Sequence, residues 1–513
     1  MPEPRTWQLA AGSAVLGLAL AAGAVTAAGP WDSGQRKAER ARAAAADLRG
    51  GVHHAGAPGP AVPRPPAPAP SAAGVLRALG APETTGATGT TDAPGTPRTT
   101  RTDAPGTPRT TRTGDPTTPD RPGRPARPVD WAAVLVPLLA DPGLGPLRTA
   151  SVVDATTGRQ LYGEGAGTPM TPASTVKIAT AAAALSALGP DHRIGTTTVG
   201  TPDGRTVTLV GGGDPTLDKA RLKALADATA RALKTRGAAP GPVRLTYDTS
   251  LYRGPALHPI GPNENLAPLS ALMTDEGRLD GSHSGPAPRT ADPAGDTATA
   301  FAGLLRAAGV TVQGTPAPGH APRGPQARPL ARTDSAPLAD LVERTLTHSD
   351  NDLAEALARQ TALAHKQPAG ADGAAKAVHA ELARLGLPLA GARFADGSGL
   401  DRRDRVSAAL LTGILTRAAD PAHPALRPVL TGLPVGGFSG TLAGRFGTDA
   451  TARGAGVVRA KTGTLTGVNT LAGTVVTADG RLLAFAFLAG RTSSPDTAQP
   501  ALDRLSAALA PAR

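Results

Sequence analysis

Cysteine is absent from this chain and aromatic residues are scarce, and each shortage excludes something. Without cysteine neither disulfide bonds nor thiol chemistry is available, although an exported protein need not contain disulfides. Only 3 Trp, 3 Tyr and 6 Phe occur in 513 residues, so Ala, Leu and Val must fill the core. The histidines show no H-E-x-x-H spacing, which leaves a zinc peptidase without support. Ser398 and Ser439 lie among glycines but neither completes G-x-S-x-G, so a Ser-His-Asp hydrolase is unsupported.

The charge balance is basic, with a formal net charge of +12. Such a balance favours anionic envelope polymers or phospholipid as partners, and it is equally typical of a solvated, arginine-rich surface. No nucleic-acid-binding motif accompanies it, so we expect no nucleic-acid partner. The length leaves room for two or three domains.

The N-terminal region carries no charge from Trp7 to Trp31 and is dominated by Ala, Leu, Gly and Val. This pattern is typical of an export segment, and its length also suffices to span a bilayer. The basic residues between Arg36 and Arg42 oppose the usual excess of positive charge on the cytoplasmic side. We predict that residues 1–31 direct export, either as a cleaved signal or as an anchor held by residues 7–31. The protein would then act at the outer face of the cytoplasmic membrane, in the cell wall or outside the cell.

A segment rich in Pro, Thr, Gly and Arg follows the export segment. It contains a tandem repeat, TDAPGTPRTTR, at residues 91–101 and 102–112. Such a composition cannot bury a core and predicts an extended, disordered spacer over residues 32–129. The spacer would hold a folded region away from the membrane, or it is a neutral repeat expansion.

Three short strings stand out against this composition. They are Ser174-Thr175-Val176-Lys177, Ser349-Asp350-Asn351 and Lys461-Thr462-Gly463. The chain has only eight lysines and four asparagines, yet these scarce residues complete the patterns S-x-x-K, S-x-N and K-T-G, once each. Three such coincidences in one order are not expected by chance.

The first string supplies a nucleophile and a base. The run from Ala173 to Leu188 is dense in Ala and Leu and predicts a helix, so Ser174 and Lys177 share one face. A serine hydroxyl needs a neighbouring base, and a lysine becomes one when burial or a second cation, here Lys461, lowers its pKa. Taken alone, the same residues would also suit an N-cap and a solvated helix face.

The second string precedes another helix-forming run, which predicts a loop-to-helix junction. Ser349 could there relay a proton to a leaving amine, and Asn351 could hold a substrate amide. An ordinary helix-capping cluster would have the same composition.

The third string lies within Val457 to Leu488, a stretch rich in Val, Thr, Leu and Phe. Turn residues near Gly467 to Asn469 and near Gly480 predict an antiparallel meander. Gly463 would let a substrate backbone approach, and the N–H groups of Thr464 and Ser174 would form an oxyanion hole. Lys461 and the threonine hydroxyls, including that of Thr462, would bind a terminal carboxylate. A plain hairpin with one exposed lysine is the alternative.

The remaining patterns predict an α+β fold in which helices flank an antiparallel sheet. We expect a first helix at Trp131 to Leu139, a hairpin from Thr149 to Tyr162 and a last helix at Ala501 to Leu509. Residues 130–195 and 326–513 would form the main domain, and residues 196–325 an inserted one with a strand at Thr206 to Val210 and a helix at Leu217 to Lys234.

With these motifs the chain resembles the D-alanyl-D-alanine carboxypeptidase/endopeptidase group of low-molecular-mass penicillin-binding proteins, those with a large insertion. The resemblance covers roughly residues 131–513. Further matching strings are Gly212-Gly213-Asp214-Pro215, Tyr247-Asp248-Thr249-Ser250, Ala267-Pro268-Leu269-Ser270-Ala271-Leu272, Asp396-Gly397-Ser398-Gly399-Leu400, Leu433-Pro434-Val435 and Gly440-Thr441-Leu442.

The resemblance implies a serine penicillin-recognising fold and a role for each motif residue. Ser174 would be the acylated nucleophile and Lys177 its base. The residues completing the site would be Ser349, Asn351 and Lys461 for catalysis, and Thr462, Gly463, Thr464 and Arg402 for substrate binding. Such enzymes act on peptidoglycan peptides, are inhibited by β-lactams and need neither a metal nor an organic cofactor.

The chain departs from this group at two places. Relatives usually have Ser-Arg after Asp-Gly-Ser-Gly-Leu, where this chain has Asp401-Arg402. Relatives also often place an acid and an aromatic before the Ala-Pro run, where this chain has only Glu264. The diamino-acid specificity and the balance of carboxypeptidase and endopeptidase action therefore stay open.

Two other functions share the motifs. A β-lactamase normally has a much shorter span between the first two strings than Ser174 to Ser349. A wall-binding scaffold with a decayed site would not be expected to keep every motif side chain intact.

Overall fold

A computed structural model describes residues 129–235 and 241–511 of the chain. The predicted export segment and nearly all of the predicted spacer lie outside these residues. Within the described ranges, no helix combines the length and the apolar composition needed to cross a bilayer.

The described residues form two five-stranded sheets with helices packed on them. The strands are β1 (Leu147–Asp154), β2 (Gln160–Glu164), β3 (Gly195–Gly200), β4 (Thr206–Val210), β5 (Val243–Asp248), β6 (Val312–Pro318), β7 (Arg328–Asp334), β8 (Val458–Leu465), β9 (Val468–Val476) and β10 (Leu482–Gly490). The helices are α1 (Trp131–Leu139), α2 (Lys177–Leu188), α3 (Lys219–Lys234), α4 (Pro293–Ala307), α5 (Leu338–His348), α6 (Asn351–Ala364), α7 (Ala371–Arg384), α8 (Ala408–Ala419), the single turn α9 (Pro428–Thr431) and α10 (Pro495–Ala508).

The first sheet has the order β2-β1-β10-β9-β8 and is antiparallel throughout. Strands β8, β9 and β10 form the predicted meander, whereas β1 comes from the start of the described region and pairs with β10 along its whole length. The sheet therefore joins chain segments that are far apart in sequence. Strand β8 lies at one edge, and that edge carries the K-T-G string.

Helices cover both faces of the first sheet. On one face α1 and α10 pack against Phe485 and Phe487, whose rings stack with centroids 5.3 Å apart. On the other face α2 and α8 pack against small strand residues such as Ala484 and Ala486. Helix α2 is buried from Lys177 through Leu185, because its alanines let neighbouring elements approach closely on every side. Alanine, leucine and valine supply most of this core, as the shortage of aromatics predicts.

The second sheet has the order β6-β5-β4-β3-β7 and is mixed. Strands β4, β5 and β6 are parallel to one another, and β3 is antiparallel to both of its neighbours. Helices α3 and α4 cover it with residues such as Leu225 and Phe301. Its strands span Gly195–Asp334, so β7 belongs to this sheet although it lies beyond residue 325. The division into a main and an inserted domain stays a prediction.

The α+β class and most predicted elements are confirmed, with four differences in detail. Helix α2 begins at Lys177 rather than at Ala173, because Ala173–Val176 form a 3-10 turn. Helix α10 begins at Pro495, where Ser494 caps its N-terminus, rather than at Ala501. Val468 and Asn469 belong to β9 rather than to the turn, because they pair with β8 and β10. Helix α3 begins two residues after Leu217, where the Asp218 side chain caps it.

Candidate active site

Ser174 lies in a short 3-10 turn, Ala173–Val176, immediately before α2. An N–H group at this position has no acceptor within the helix, so it is available to a ligand. Ala173 adopts a left-handed φ of 49°, which alanine rarely does. The backbone of Gly399 packs so closely that a side chain there would meet the Ala173 carbonyl oxygen at 2.0 Å. The neighbouring loop therefore helps to hold this unusual turn.

Lys177 follows one turn later and its ammonium group joins three parts of the chain. Its Nζ donates hydrogen bonds to Ser174 Oγ at 3.0 Å, to Asn351 Oδ1 at 2.7 Å and to the Ser398 carbonyl oxygen at 2.6 Å. The side chain is fully buried. The first two motifs therefore meet at one nitrogen atom, together with the Asp-Gly-Ser-Gly loop.

Burial lowers the pKa of Lys177 to about 8, because the charged form loses its hydration. Carboxylates nearby act in the opposite direction and keep the pKa from falling further; they belong to Asp396, Asp350, Glu355 and Asp404. Burial also lowers the pKa of Lys461, and the charge of Lys177 adds to that effect. The expected repulsion between the two lysines is present, but burial is the larger cause at both.

The S-x-N string lies between α5 and α6. Ser349 ends α5 in the left-handed conformation, with φ 59° and ψ 38°, and this sharp turn redirects the chain. Asp350 caps α6 by accepting the Leu353 N–H at 3.0 Å, so the middle residue of the string is structural. Asn351 spans the site, because its Nδ2 donates to the Asn265 carbonyl oxygen at 3.0 Å while its Oδ1 faces Lys177. Within the described residues the Ser349 hydroxyl has no hydrogen bond, which leaves it available to substrate.

The K-T-G string lies on the edge strand β8. Lys461 is fully buried and its Nζ donates to the Thr462 carbonyl oxygen at 2.8 Å. The Thr462 hydroxyl donates to Thr441 Oγ1 at 2.9 Å, and Thr464 is exposed. Lysine at this position is thus a buried amine rather than the exposed residue of a plain hairpin.

The outer edge of β8 is only partly covered. Its start pairs with Pro434 and Gly436, since the Ala460 N–H donates to the Pro434 carbonyl oxygen at 2.9 Å. Alternate residues of a strand direct their N–H groups to the same edge. Thr462 and Thr464 are in step with Ala460, so their N–H groups point outwards beyond the covered part. The Thr464 N–H therefore lies on the edge where an oxyanion hole requires it.

Two predicted contact residues make contacts other than those expected. A side chain at Gly463 would meet Thr470 Oγ1 at 2.1 Å and the Pro172 carbonyl oxygen at 2.7 Å. Glycine is thus needed here to let β8 pack against the segment before Ser174, and the close approach of a substrate backbone at this residue stays a prediction. The exposed Arg402 guanidinium donates to the Thr466 carbonyl oxygen at the β8–β9 turn, with one contact at 3.0 Å.

Two groups at the site were not predicted from the sequence. The third acceptor of Lys177 is a backbone oxygen, that of Ser398, and a backbone group has no residue type to mark it. The other is Glu355, which binds the same loop from α6 through backbone N–H groups. Only the string Asp396 to Leu400 pointed to this region, as part of the family resemblance.

Two groups of acidic and histidine side chains have a spacing that would suit a metal ion, but neither is free to bind one. They are His258, Glu355 and Asp396, and Glu276, Asp350 and Asp352. In the first group the carboxylates already accept backbone N–H groups and the Arg359 guanidinium. In the second, three arginines pair with the carboxylates; they are Arg278, Arg289 and Arg344. The donor sets fit internal ion pairs rather than a cation site.

Comparison with known proteins gives the same assignment as the motifs. Residues 132–288 and 280–509 match the model of the D-Ala-D-Ala carboxypeptidase 3 (S13) family. Carboxypeptidase DacB of Mycolicibacterium smegmatis is 37% identical over an alignment of 399 residues that covers 74% of this chain and 83% of the relative. A D-alanyl-D-alanine carboxypeptidase of Actinomadura is 31% identical over 442 residues, covering 70% of this chain and 80% of the relative.

Similarity to a solved structure confirms the predicted penicillin-recognising fold. Penicillin binding protein 4 (dacB) from Haemophilus influenzae superimposes with a TM-score of 0.60 at 21% identity. The match covers 74% of this chain and 98% of that one. The family match spans most of the described residues and all three motifs. The chain therefore belongs to the D-Ala-D-Ala carboxypeptidase 3 (S13) family.

Proposed function

We propose that this chain cleaves the peptide bond after a D-Ala residue in peptidoglycan stem peptides, through an acyl-enzyme on Ser174. The observation that carries the proposal is the position of Lys177 Nζ, 3.0 Å from Ser174 Oγ and hydrogen-bonded to two further acceptors. A buried lysine with a lowered pKa beside a serine hydroxyl is a nucleophile–base pair.

The first step is attack by Ser174. In its neutral form Lys177 keeps two N–H groups, which Asn351 Oδ1 and the Ser398 carbonyl oxygen can accept. The remaining lone pair then faces the Ser174 hydroxyl and takes its proton as Oγ bonds to the D-Ala carbonyl carbon. The N–H groups of Ser174 and Thr464 stabilise the negative charge that develops on the carbonyl oxygen.

The second step expels an amine. Protonated Lys177 returns its proton through the Ser349 hydroxyl to the leaving nitrogen, and the C–N bond breaks. Carboxypeptidase action releases free D-Ala, whereas endopeptidase action releases the side-chain amine of a neighbouring stem peptide. Water then attacks the carbonyl carbon of the acyl-enzyme and gives a proton to Lys177. The bond between that carbon and Ser174 Oγ breaks, Lys177 returns the proton to Oγ, and the shortened peptide leaves with a free carboxyl group.

Substrate is held along the uncovered edge of β8. An extended peptide can add to such an edge through backbone hydrogen bonds. Asn351 would bind an amide of the substrate, while the hydroxyls of Thr462 and Thr464, with the charge of Lys461, would bind its terminal carboxylate. Arg402 closes the far end of this edge through its contact with Thr466. A β-lactam carries an amide and a carboxylate in a similar arrangement and would acylate Ser174.

The location follows from the substrate. Peptidoglycan lies outside the cytoplasmic membrane, so the protein must be exported to reach it. We propose that residues 1–31 direct export as a cleaved signal or a retained anchor. Residues 32–129 would then be a spacer between that segment and the folded region. Within the folded region, residues 196–325 would form an inserted domain.

The experiment that tests the proposal is acylation by benzylpenicillin. The full-length chain and its Ser174→Ala variant are incubated with the drug, and intact mass and peptide maps are recorded. We expect one lasting adduct per chain, on Ser174, and none on the variant. An unmodified chain with intact drug would refute serine acylation, and rapid hydrolysis of the drug without a lasting adduct would instead identify a β-lactamase.

A further inference from the structure

The base of the proposed reaction depends on a backbone carbonyl that no motif side chain supplies. Lys177 Nζ has its shortest contact, 2.6 Å, with the carbonyl oxygen of Ser398. Because a neutral lysine has two N–H groups, its lone pair has a fixed direction only if both have fixed acceptors. Asn351 is fixed by its own helix and by Asn265. The question is therefore what fixes the peptide group of Ser398.

Glu355 holds the backbone immediately before this carbonyl from the helix side. Its Oε1 accepts the N–H groups of Gly397 at 2.9 Å and of Ser398 at 3.0 Å. Its Oε2 accepts from Arg359 Nη1 at 2.7 Å, which fixes the carboxylate itself. Only 3% of Glu355 is exposed, so water does not replace these contacts.

The geometry of α6 connects Glu355 with Asn351. The two residues are four positions apart, and Arg359 follows after another four, so all three lie on one helix face. One face of α6 thus supplies the first acceptor of Lys177 directly, through Asn351, and orients the second indirectly, through Glu355.

The other end of the loop is held separately. Asp396 accepts the N–H groups of Gly399 at 2.6 Å and Asp401 at 2.7 Å, and its Oδ2 lies 3.0 Å from His258 Nε2. The Gly399 N–H belongs to the same peptide group as the Ser398 carbonyl, and Asp396 also accepts the Ser398 N–H, at 3.1 Å. Glu355 fixes the two peptide groups that precede this one, so the carbonyl is held between the two carboxylates.

We propose that Glu355 is a positioning residue of the acylation step, which orients the Ser398 carbonyl so that the lone pair of Lys177 faces Ser174. The inference rests on the proposed function, in which Lys177 is the base. A purely structural role for the Glu355–Arg359 pair would affect stability alone, whereas a positioning role affects the rate at which a correctly folded chain is acylated.

The test compares variants that separate the charge of Glu355 from its hydrogen-bond acceptor. Glu355→Gln removes the charge and keeps an oxygen able to accept both N–H groups, whereas Glu355→Ala removes both. Asp503→Ala is the matched control, since it breaks another buried ion pair, with Arg445, on the opposite face of the first sheet. Second-order acylation by benzylpenicillin is measured against pH for each full-length variant, with the melting temperature.

We expect the acylation rate constant of Glu355→Ala on its high-pH plateau to fall about 100-fold, which is the size typical of a misplaced catalytic group. Glu355→Gln should keep its plateau within about threefold, because the acceptor remains. Both variants should shift the acidic limb of the pH–rate profile to lower pH by the same amount. Each of them removes one of the carboxylates that raise the pKa of Lys177. Asp503→Ala should melt earlier yet keep the wild-type plateau.

An unchanged plateau in Glu355→Ala would overturn the inference, as would equal losses in the Ala and Gln variants. If Glu355→Ala does not fold, Glu355→Asp is used instead, because it keeps the charge and moves the acceptor away by the length of one methylene group. Its acylation rate constant at high pH should fall, while the acidic limb of its pH–rate profile stays in place. Crystal structures of the wild type and the variant give a readout that is independent of activity. We expect the contact between Lys177 Nζ and the Ser398 carbonyl oxygen to be lost in the variant. If the variant keeps this contact at about 2.6 Å, the positioning role is refuted. This outcome can be read even if the wild type is not acylated and the proposed function itself fails.

Discussion

The pKa of Lys177 sets how acylation must depend on pH. With a pKa of about 8, roughly one lysine in eleven is neutral at pH 7. A lysine with the ordinary value of 10.5 would be neutral in only about one molecule in three thousand at the same pH. Burial therefore increases the fraction of active base about 300-fold at neutral pH.

The expected profile follows from the sign of this titration. Protonation of Lys177 removes the lone pair that accepts the Ser174 proton, so acylation falls on the acid side. Between pH 6 and pH 7 the second-order rate constant should rise about tenfold, and above about pH 9 it should level off. The assay is covalent labelling by benzylpenicillin, followed by intact mass, at a series of pH values.

A control separates Lys177 from a second group that titrates nearby. Burial raises the pKa of Asp352 to about 7, and this residue adjoins the S-x-N string. In the Asp352→Asn variant that titration is gone, and we expect the acidic limb of acylation to persist. A limb that disappears in this variant, or a wild-type rate still rising between pH 9 and pH 11, would refute the reasoning.

Two further predictions concern stability. Gly399→Ala should lose at least about 1 kcal/mol and be acylated poorly, because its φ is +83° and the new Cβ would meet the Ala173 carbonyl oxygen. Gly386→Ala is the matched control, because its φ is +72° but the new Cβ would make only an ordinary contact, 3.6 Å from Arg417 Nη2. It should be destabilised and acylated normally, and equal acylation of the two variants would contradict the role given to Gly399. Asp503→Ala should lose about 3 kcal/mol in urea unfolding, because the mostly buried Arg445 loses its carboxylate and keeps only the Gln499 carbonyl oxygen as an acceptor. An unchanged midpoint would show that the pair contributes nothing.

The sequence predicted the parts of this molecule that depend on residue type or on simple patterns. Ser174, Lys177 and Asn351 could be brought together because lysine and asparagine are rare here and complete known motifs. Helix α1 was predicted with its bounds, Trp131–Leu139, because Asp130 and an apolar run define its start and extent.

Features that depend on backbone groups or lack periodicity could not be predicted. Glu355 lies in an uninterrupted buried stretch of α6, Asp352 to Ala362, so no alternation distinguishes it from its neighbours. Strand β7 is half-exposed and rich in polar residues, so nothing marked it as part of the second sheet. The first turns of α10 contain Pro495 and Pro500, which concealed the beginning of the helix.

The strand order of the first sheet determines when during synthesis this protein can become active. Strand β1 is made early, yet its long pairing is with β10, which is made almost last. Pairings between such distant segments form slowly, and only after the intervening chain exists. A growing chain therefore contains Ser174 and Lys177 well before it contains Asn351, Ser398 or the edge strand that holds substrate. Activation of the serine is thus delayed until these later segments have been made and have folded against Ser174 and Lys177.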